Sequence, residues 1–397
     1  MTTGADMPPL VFLVAGEPSG DALGARLMAA LKARTGGAVR FAGVGGEGMA
    51  DQGLDSLFPM AELSVMGVAE VLPRLPSILR RLAETARAAR RLRPAAVVTI
   101  DAPDFCFRLA KRLRGAGIPL IHYVAPSVWA WRPGRARKIA GFLDHLLALL
   151  PFEPPYFERE GLACTFVGHP VVESGADGGD GRRFRERHGI AAGAPLVCVL
   201  PGSRRSETAR LLPVFAQAVA GLRANRPDLR AVVPVIGAVA DEVARAAAGW
   251  PVPATVVHGR ADKIDAFAAA DVALAASGTV ALELAMAETP AVIAYRVSPL
   301  TAWLARRLVR VPYANLVNLV LDRPAVPELI QEDCRPERLT AALDALLADE
   351  AARRAQVEAG REALARLGRG GPSPGERAAA VVLKVIAAAS SSPPSRD

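Results

Sequence analysis

Short runs of aliphatic and β-branched residues alternate with longer helical patterns along most of this chain, and that alternation restricts the fold more than any other feature. A strand that is apolar on both faces has to be covered on both, and parallel strands joined by crossover helices meet that need. In the first part the runs lie at 10–14, 39–44, 96–100, 120–123, 145–149 and 165–167, with helical patterns between them at 20–33, 78–93 and 104–115. The texture then changes: residues 173–181 are polar and glycine-rich and read as a linker. Beyond it the alternation restarts, with strands predicted at 196–200, 231–235, 254–258, 272–275 and 291–295 and helices at 207–225, 262–270 and 279–286. The expected fold class is α/β, with two Rossmann-like domains whose parallel sheets face a central cleft. A ligand is expected there, beside the carboxyl ends of the strands. The predicted division is a first domain over 1–172, a linker over 173–183 and a second domain over 184–350. Helices at 351–387 have the option of packing back on the first domain, and 388–397 reads as a disordered tail.

Length and charge agree with that plan. A chain of 397 residues is long for one α/β core and suits two, and 51% hydrophobic residues exclude a disordered chain. The net charge of +8 points to anionic partners. Only five of the 48 basic residues are lysine, a skew that reads as genome composition. No recognised nucleic-acid motif accompanies the charge, so nucleic acid is not expected as a partner. The four cysteines, Cys106, Cys164, Cys198 and Cys334, are scattered and form no C-x-x-C pair, as small buried hydrophobes in a reducing compartment would be. The longest uncharged stretch, 115–131, contains Pro119 and Pro126, and the amino terminus lacks a basic start and apolar core. A cytoplasmic protein that rests on a membrane without crossing it is expected.

Several strand ends carry polar turns. The first strand runs into Ala15-Gly16-Glu17-Pro18-Ser19-Gly20-Asp21, a turn that exposes amides at a helix start. Its glycines do not make G-x-G-x-x-G, and a plain turn with Ser19 as helix cap is the competing reading. Ile100-Asp101-Ala102-Pro103-Asp104 follows the strand 96–100. Asp104 reads as a helix-start residue, which leaves Asp101 at the strand end either as a turn residue or as a reactive group. The segment 122–132 is aromatic and holds Ser127, Trp129 and Arg132, a surface suited to a sugar ring or acyl chain. Arg132, Arg135, Arg137 and Lys138 read either as a phosphate site or as a solvated basic face. The apolar, arginine-dotted segment 60–82, which includes Met66, reads either as core or as a lipid-facing surface. In the second half, Pro201-Gly202-Ser203-Arg204 and Ser277-Gly278-Thr279 are small turns opening helices, with Glu283 one turn into the second. Together they read as a nucleotide-diphosphate site, with Arg204 on the phosphates and Glu283 on ribose hydroxyls. The histidines are dispersed and no D-x-D occurs, so no metal and no cofactor are expected.

These motifs, in this order, resemble the lipid A disaccharide synthase family, glycosyltransferases of the two-domain GT-B type. The matching pieces include AGEPSGD (15–21), VMGVAEVL (65–72), IDAPDF (100–105), HYVAPSVWAWR (122–132), LPGSRRSE (200–207), ASGTVALE (276–283), YRVSPLTAWLARRLV (295–309) and PYANLVNLV (312–320). The resemblance spans roughly 10–350. It departs at Pro18, Ala125 and Val317, none of them a residue given a catalytic role. It implies an inverting transfer from UDP-2,3-diacylglucosamine to 2,3-diacylglucosamine 1-phosphate (lipid X), giving the disaccharide monophosphate and UDP. By resemblance, Asp101 would be the base, and Ser203, Arg204, Glu207, Ser277, Gly278, Thr279, Glu283 and Asn318 would bind the donor. Glu17, Ser19, Gly20, Met66, Ser127, Trp129 and Arg132 would line the acceptor side. An anionic inner-membrane surface is the implied setting, and a homodimer is left open. A UDP-N-acetylglucosamine 2-epimerase-like enzyme is the competing reading in the same fold, and a non-catalytic nucleotide-sugar or lipid-binding protein the competing reading in another class.

Overall fold

The computed structural model describes residues 7–63, 68–131, 134–235, 237–309 and 311–391. The chain forms two compact units, one made of Met1–Pro170 with Gly370–Asp397 and the other of Val171–Arg369. Each holds a six-stranded sheet in which every pairing is parallel.

In the first unit the strands are β1 (Leu10–Ala15), β2 (Arg40–Val44), β3 (Ala96–Ile100), β4 (Leu120–Tyr123), β5 (His145–Ala148) and β6 (Ala163–Phe166), in the order β2-β1-β3-β4-β5-β6. β3 is buried at every position and feeds both faces: Val97 joins a core with Leu82, Leu109 and Leu113, and Val98 joins one with Leu27, Met28 and Leu31. Ala378, Ala379 and Val382, from the last helix Pro374–Ser391, complete that second face, so the chain's end is part of the first unit's core. That helix extends to Ser391, into the stretch expected to be a disordered tail; 392–397 lie outside the described residues.

The second unit has β7 (Leu196–Leu200), β8 (Arg230–Val235), β9 (Ala254–His258), β10 (Val272–Ala276), β11 (Ala291–Tyr295) and β12 (Glu328–Ile330), in the order β12-β11-β10-β7-β8-β9. Val197 and Val199 pack with Leu211, Phe215 and Leu222 of the helix Arg205–Asn225 and with Leu339 and Leu343 of the helix Pro336–Ala348. Each order reverses direction once, between β1 and β3 and between β7 and β10. Neighbouring crossovers diverge at such a point and leave a crevice at the strand ends. The registers Ala15↔Ile100 and Ala275↔Leu200 bring those ends level.

The segment 173–183, expected as a linker, carries regular structure. It forms short 3-10 turns at Pro170–Glu173 and Ala176–Gly178 and then the helix Gly181–Arg187, and the Asp180 amide donates to Asp265 Oδ1 at 2.8 Å. The helix expected to begin at 78 spans Val68–Leu92 and includes Pro73 and Pro76. Among the described residues no helix is long and apolar enough to cross a membrane.

Candidate active site

In the second unit, β7 ends at Leu200 and β10 at Ala276, side by side, and the two turns that follow line one cavity of about 250 Å³. Gly202, Ser203, Ser277, Gly278 and Thr279 form its wall, with Glu207, Glu283 and Lys263 supplying charge. Gly202 has φ +106, and a Cβ there would lie 2.8 Å from Glu207 Oε2, so only glycine fits the turn without displacing that carboxylate. The helix Arg205–Asn225 starts with no side-chain cap, which leaves its first amides and its positive dipole end open at the turn. The short helix Val280–Met286 likewise starts with no side-chain cap. Such donors suit an anion.

The charged groups are paired with one another. Glu283 Oε2 accepts from Lys263 Nζ at 2.7 Å, and Glu207 Oε1 accepts from Arg204 Nη1 at 3.1 Å. Arg204 is the helix's N-cap residue, and its guanidinium is largely exposed. Tyr295 lies 3.5 Å from the same Glu207 oxygen; burial and the nearby carboxylate raise its pKa, so it remains a donor. Ser277 Oγ donates to the Ala314 carbonyl at 3.0 Å. A second cavity of about 420 Å³, edged by Val235, His258, Gly259 and Arg260, shares Lys263 and Glu283 with the first. Lys263 therefore stands where the two spaces meet. Sequence reasoning missed it, and the available signal was a lysine one turn into a helix that follows a strand, in a chain with five lysines.

Asn318, expected near the donor, is 1% exposed and hydrogen-bonded within the chain. Its Nδ2 donates to the Val326 carbonyl and to Glu328 Oε1, and its Oδ1 accepts from the Ala325 and Val326 amides. It fastens the turn before β12 and presents no free amide.

In the first unit, Asp101 directly follows β3. Its φ is +51 and that of Ala102 is +42, and Val124, just past β4, has φ +87. Left-handed backbone in non-glycine residues costs roughly 1–2 kcal/mol each, and a β-branched residue tolerates it least. Ser19 Oγ donates to Asp101 Oδ2 at 3.2 Å, so the turn after β1 reaches the aspartate. Gly16 and Gly20 permit that approach: a Cβ on Gly16 would meet Ala102 Cβ at 2.8 Å, and one on Gly20 would meet the Ile100 carbonyl at 3.3 Å. Ser19 is thus a partner of Asp101 rather than a helix cap; Glu17 holds the cap position. Asp104 lies exposed in the first turn of the helix Pro103–Leu113, whose cap position is Ala102. Asp21 is fixed by accepting from the amides of Gly46, Gly48 and Met49.

Trp129 is held from below. Its Nε1 donates to Glu153 Oε1 at 3.1 Å, and its ring meets Phe152 edge-on at 5.1 Å. Glu153, unnoticed in the sequence, is buried and also accepts from the Leu149 and Leu150 amides. Burial pushes its pKa up to about 7 against the pull of those hydrogen bonds. Ser127 is exposed beside Trp129. His122 is core: burial lowers its pKa to about 3, it meets Thr99 Oγ1 at 2.8 Å through Nδ1, and its ring lies against Phe107. Of the basic cluster, Arg137 pairs with Glu160 and Arg135 sits over the Phe107 ring. Met66 and Arg132 lie outside the described residues.

Residues 11–378 match the sequence family described as lipid-A-disaccharide synthetase. A lipid-A-disaccharide synthase of Rhodospirillum centenum is 62% identical over 381 residues, covering 96% of this chain and 95% of the relative. One of Paramagnetospirillum magneticum is 56% identical, covering 95% and 97%. Among solved structures, a UDP-N-acetylglucosamine 2-epimerase of Listeria monocytogenes, so described provisionally, superposes with TM-score 0.62 at 13% identity over 96% of each chain. Acinetobacter baumannii MurG superposes with TM-score 0.57 at 16% identity over 95% of this chain and all of that one. The structural likenesses establish the GT-B fold, and the sequence matches are far more specific: the chain belongs to the lipid-A-disaccharide synthetase family.

Proposed function

We propose that this chain is an inverting glycosyltransferase that joins UDP-2,3-diacylglucosamine to the 6-hydroxyl of 2,3-diacylglucosamine 1-phosphate. The observation that carries the reading is the cavity of the second unit, where two turns with uncapped helix starts and Glu283 surround one space. Those amides and Arg204 meet the diphosphate, and Glu283 takes ribose hydroxyls once Lys263 yields. Ser203, Ser277, Gly278 and Thr279 shape the phosphate end, and Glu207 holds Arg204. The second cavity, beyond Lys263, takes the base. Asp101 removes the acceptor hydroxyl proton while that oxygen attacks the anomeric carbon. The carbon–phosphate oxygen bond breaks and UDP leaves with the electron pair. Ser19 orients Asp101, with Glu17 and Gly20 shaping the same turn, and Ser127 and Trp129 border the acceptor. Both substrates carry acyl chains, so the protein works at the anionic cytoplasmic face of the inner membrane, as its net charge of +8 supports.

The test follows UDP release from the diacyl donor with and without the acceptor. Release that needs both substrates is expected. Turnover of UDP-N-acetylglucosamine without acyl chains or acceptor would instead favour an epimerase. Asp101→Asn should lower turnover by about 10²–10⁴-fold while UDP affinity, by calorimetry, stays within about twofold. Near-normal turnover of that variant overturns the base assignment.

A further inference from the structure

The helix Pro299–Leu308 of the second unit carries an apolar surface. Trp303 is 49% exposed and Leu304 48%, and Leu308 and the C-cap residue Val309 are also exposed. Leu304 and Leu308 share one helix face, with Trp303 beside them. Of the helix's described side chains, only Ala302 is buried. Four large apolar groups left in water on one short helix mark an interaction surface, since scattered single ones are ordinary.

The charge around it selects the partner. Residues 289–321 contain four arginines, Arg296, Arg306, Arg307 and Arg310, and no aspartate or glutamate. Arg307 sits over the Trp303 ring, 3.8 Å from its centroid, and Arg306 pairs with Glu332. A groove of about 710 Å³ beside the helix is walled by Arg210, Arg296, Trp303 and Arg306. A tryptophan flanked by leucines and arginines matches the boundary of a bilayer, where the ring rests among headgroups and guanidinium groups meet lipid phosphates. The surface also adjoins the donor cavity. The helix starts four residues after β11, and Tyr295 at that strand's end lies against Glu207 in the cavity wall.

We propose that the helix Pro299–Leu308 is an anionic-membrane contact that lets the second unit draw its acylated donor from the lipid surface. This rests on the lipid-linked substrate reading above. Trp303, Leu304 and Leu308 enter the interface, and Arg296 and Arg307 bind headgroup phosphates.

The experiment is sedimentation of the full chain with phosphatidylethanolamine vesicles containing phosphatidylglycerol, against phosphatidylcholine vesicles. Wild type should pellet with the anionic vesicles. The variant W303S/L304S/L308S should partition at least about tenfold more weakly, and R296Q/R307Q about fivefold more weakly per arginine removed. Both should keep turnover on detergent-dispersed substrates. Should the serine variant misfold, Trp303→Phe in vesicles of brominated lipid gives a second measure. Wild-type fluorescence should be quenched, and most of the quenching should vanish with Trp303. Unchanged partitioning in both variants, or quenching that survives in Trp303→Phe, overturns the proposal, as does a wild type that binds no vesicle. Loss of detergent turnover with vesicle binding intact would instead count against the transferase reading alone.

Discussion

Glu153 couples the aromatic loop of the first unit to pH. Its carboxyl is buried, accepts from Trp129 Nε1, and has its pKa raised from an ordinary 4.5 to about 7 by loss of solvent. The unfolded chain releases this proton near pH 4.5 and the folded chain near pH 7, so between those values the folded state holds more protons. Stability therefore falls as pH rises through that window and is level above it. At about 1.4 kcal/mol per pH unit, the full loss is about 3 kcal/mol, of which about 2.5 kcal/mol falls between pH 5 and pH 8. Glu153→Gln removes the titration. Its one remaining oxygen can accept from the Leu149 and Leu150 amides, but its amino group faces the Trp129 indole N–H, a loss of about 1 kcal/mol. The variant should therefore be close to wild type at pH 5 and about 2 kcal/mol more stable at pH 8. Urea unfolding followed by circular dichroism at pH 5, 6, 7 and 8 reads this directly. A wild-type-minus-variant difference that stays constant across that range refutes the reasoning, because the carboxyl would then titrate alike folded and unfolded.

The other predictions concern the second unit. Lys263→Ala removes the only lysine lining either donor cavity among the described residues, and with it the cation available to bound UDP once Glu283 turns to the ribose. UDP should bind about 10–100-fold more weakly by calorimetry, and unchanged affinity would place Lys263 outside the donor site. Asn318→Ala strips the acceptor from two amides and the donor from Glu328, so it should lower unfolding stability by about 2–4 kcal/mol while UDP affinity in the folded fraction holds. A large loss of UDP affinity at unchanged stability would instead place Asn318 at the donor.

The sheets were legible because a parallel strand buried on both faces is an unbroken apolar run. The reading of 96–100 and 196–200 matches β3 and β7 residue for residue. β12 was not legible: it is three residues at a sheet edge and begins with Glu328, and only its pairing with β11 makes it a strand. The glycines after 173 misled for a physical reason. A Cβ on Gly179 would lie 2.4 Å from the Ile264 carbonyl and one on Gly181 would lie 2.3 Å from that of Ala268, so these glycines serve close packing. Composition alone does not separate a packed glycine from a flexible one. In the site, strand-end turns stood out locally, whereas Lys263 and Glu283 meet from two helices twenty residues apart, and Glu153 reaches Trp129 across twenty-four. The partners of Asn318 were not legible, because nothing local shows that the 325–328 turn takes its hydrogen bonds.

What each unit leaves unsatisfied fits a different task. Many helix starts are closed by the chain itself: Asp21 fills the amides at the start of Glu47–Asp51, Asp180 accepts from Arg183, and Asp349 accepts from Ala352. A closed start has no donor left for a ligand. The helix Arg205–Asn225 is among those that begin uncapped, and it does so at the end of β7, opening onto a cavity. Under the proposed function those free donors lie where negative charge would gather on a departing diphosphate. At the equivalent reversal of its own sheet, the first unit holds a carboxyl on left-handed backbone with a serine hydroxyl against it, an arrangement suited to receiving a proton. The strand orders differ, β2-β1-β3-β4-β5-β6 against β9-β8-β7-β10-β11-β12, yet each reverses once; under the proposed function the division of labour comes from the residues at those strand ends, glycine and serine where amides are to be reached and aspartate where a hydroxyl is to be deprotonated.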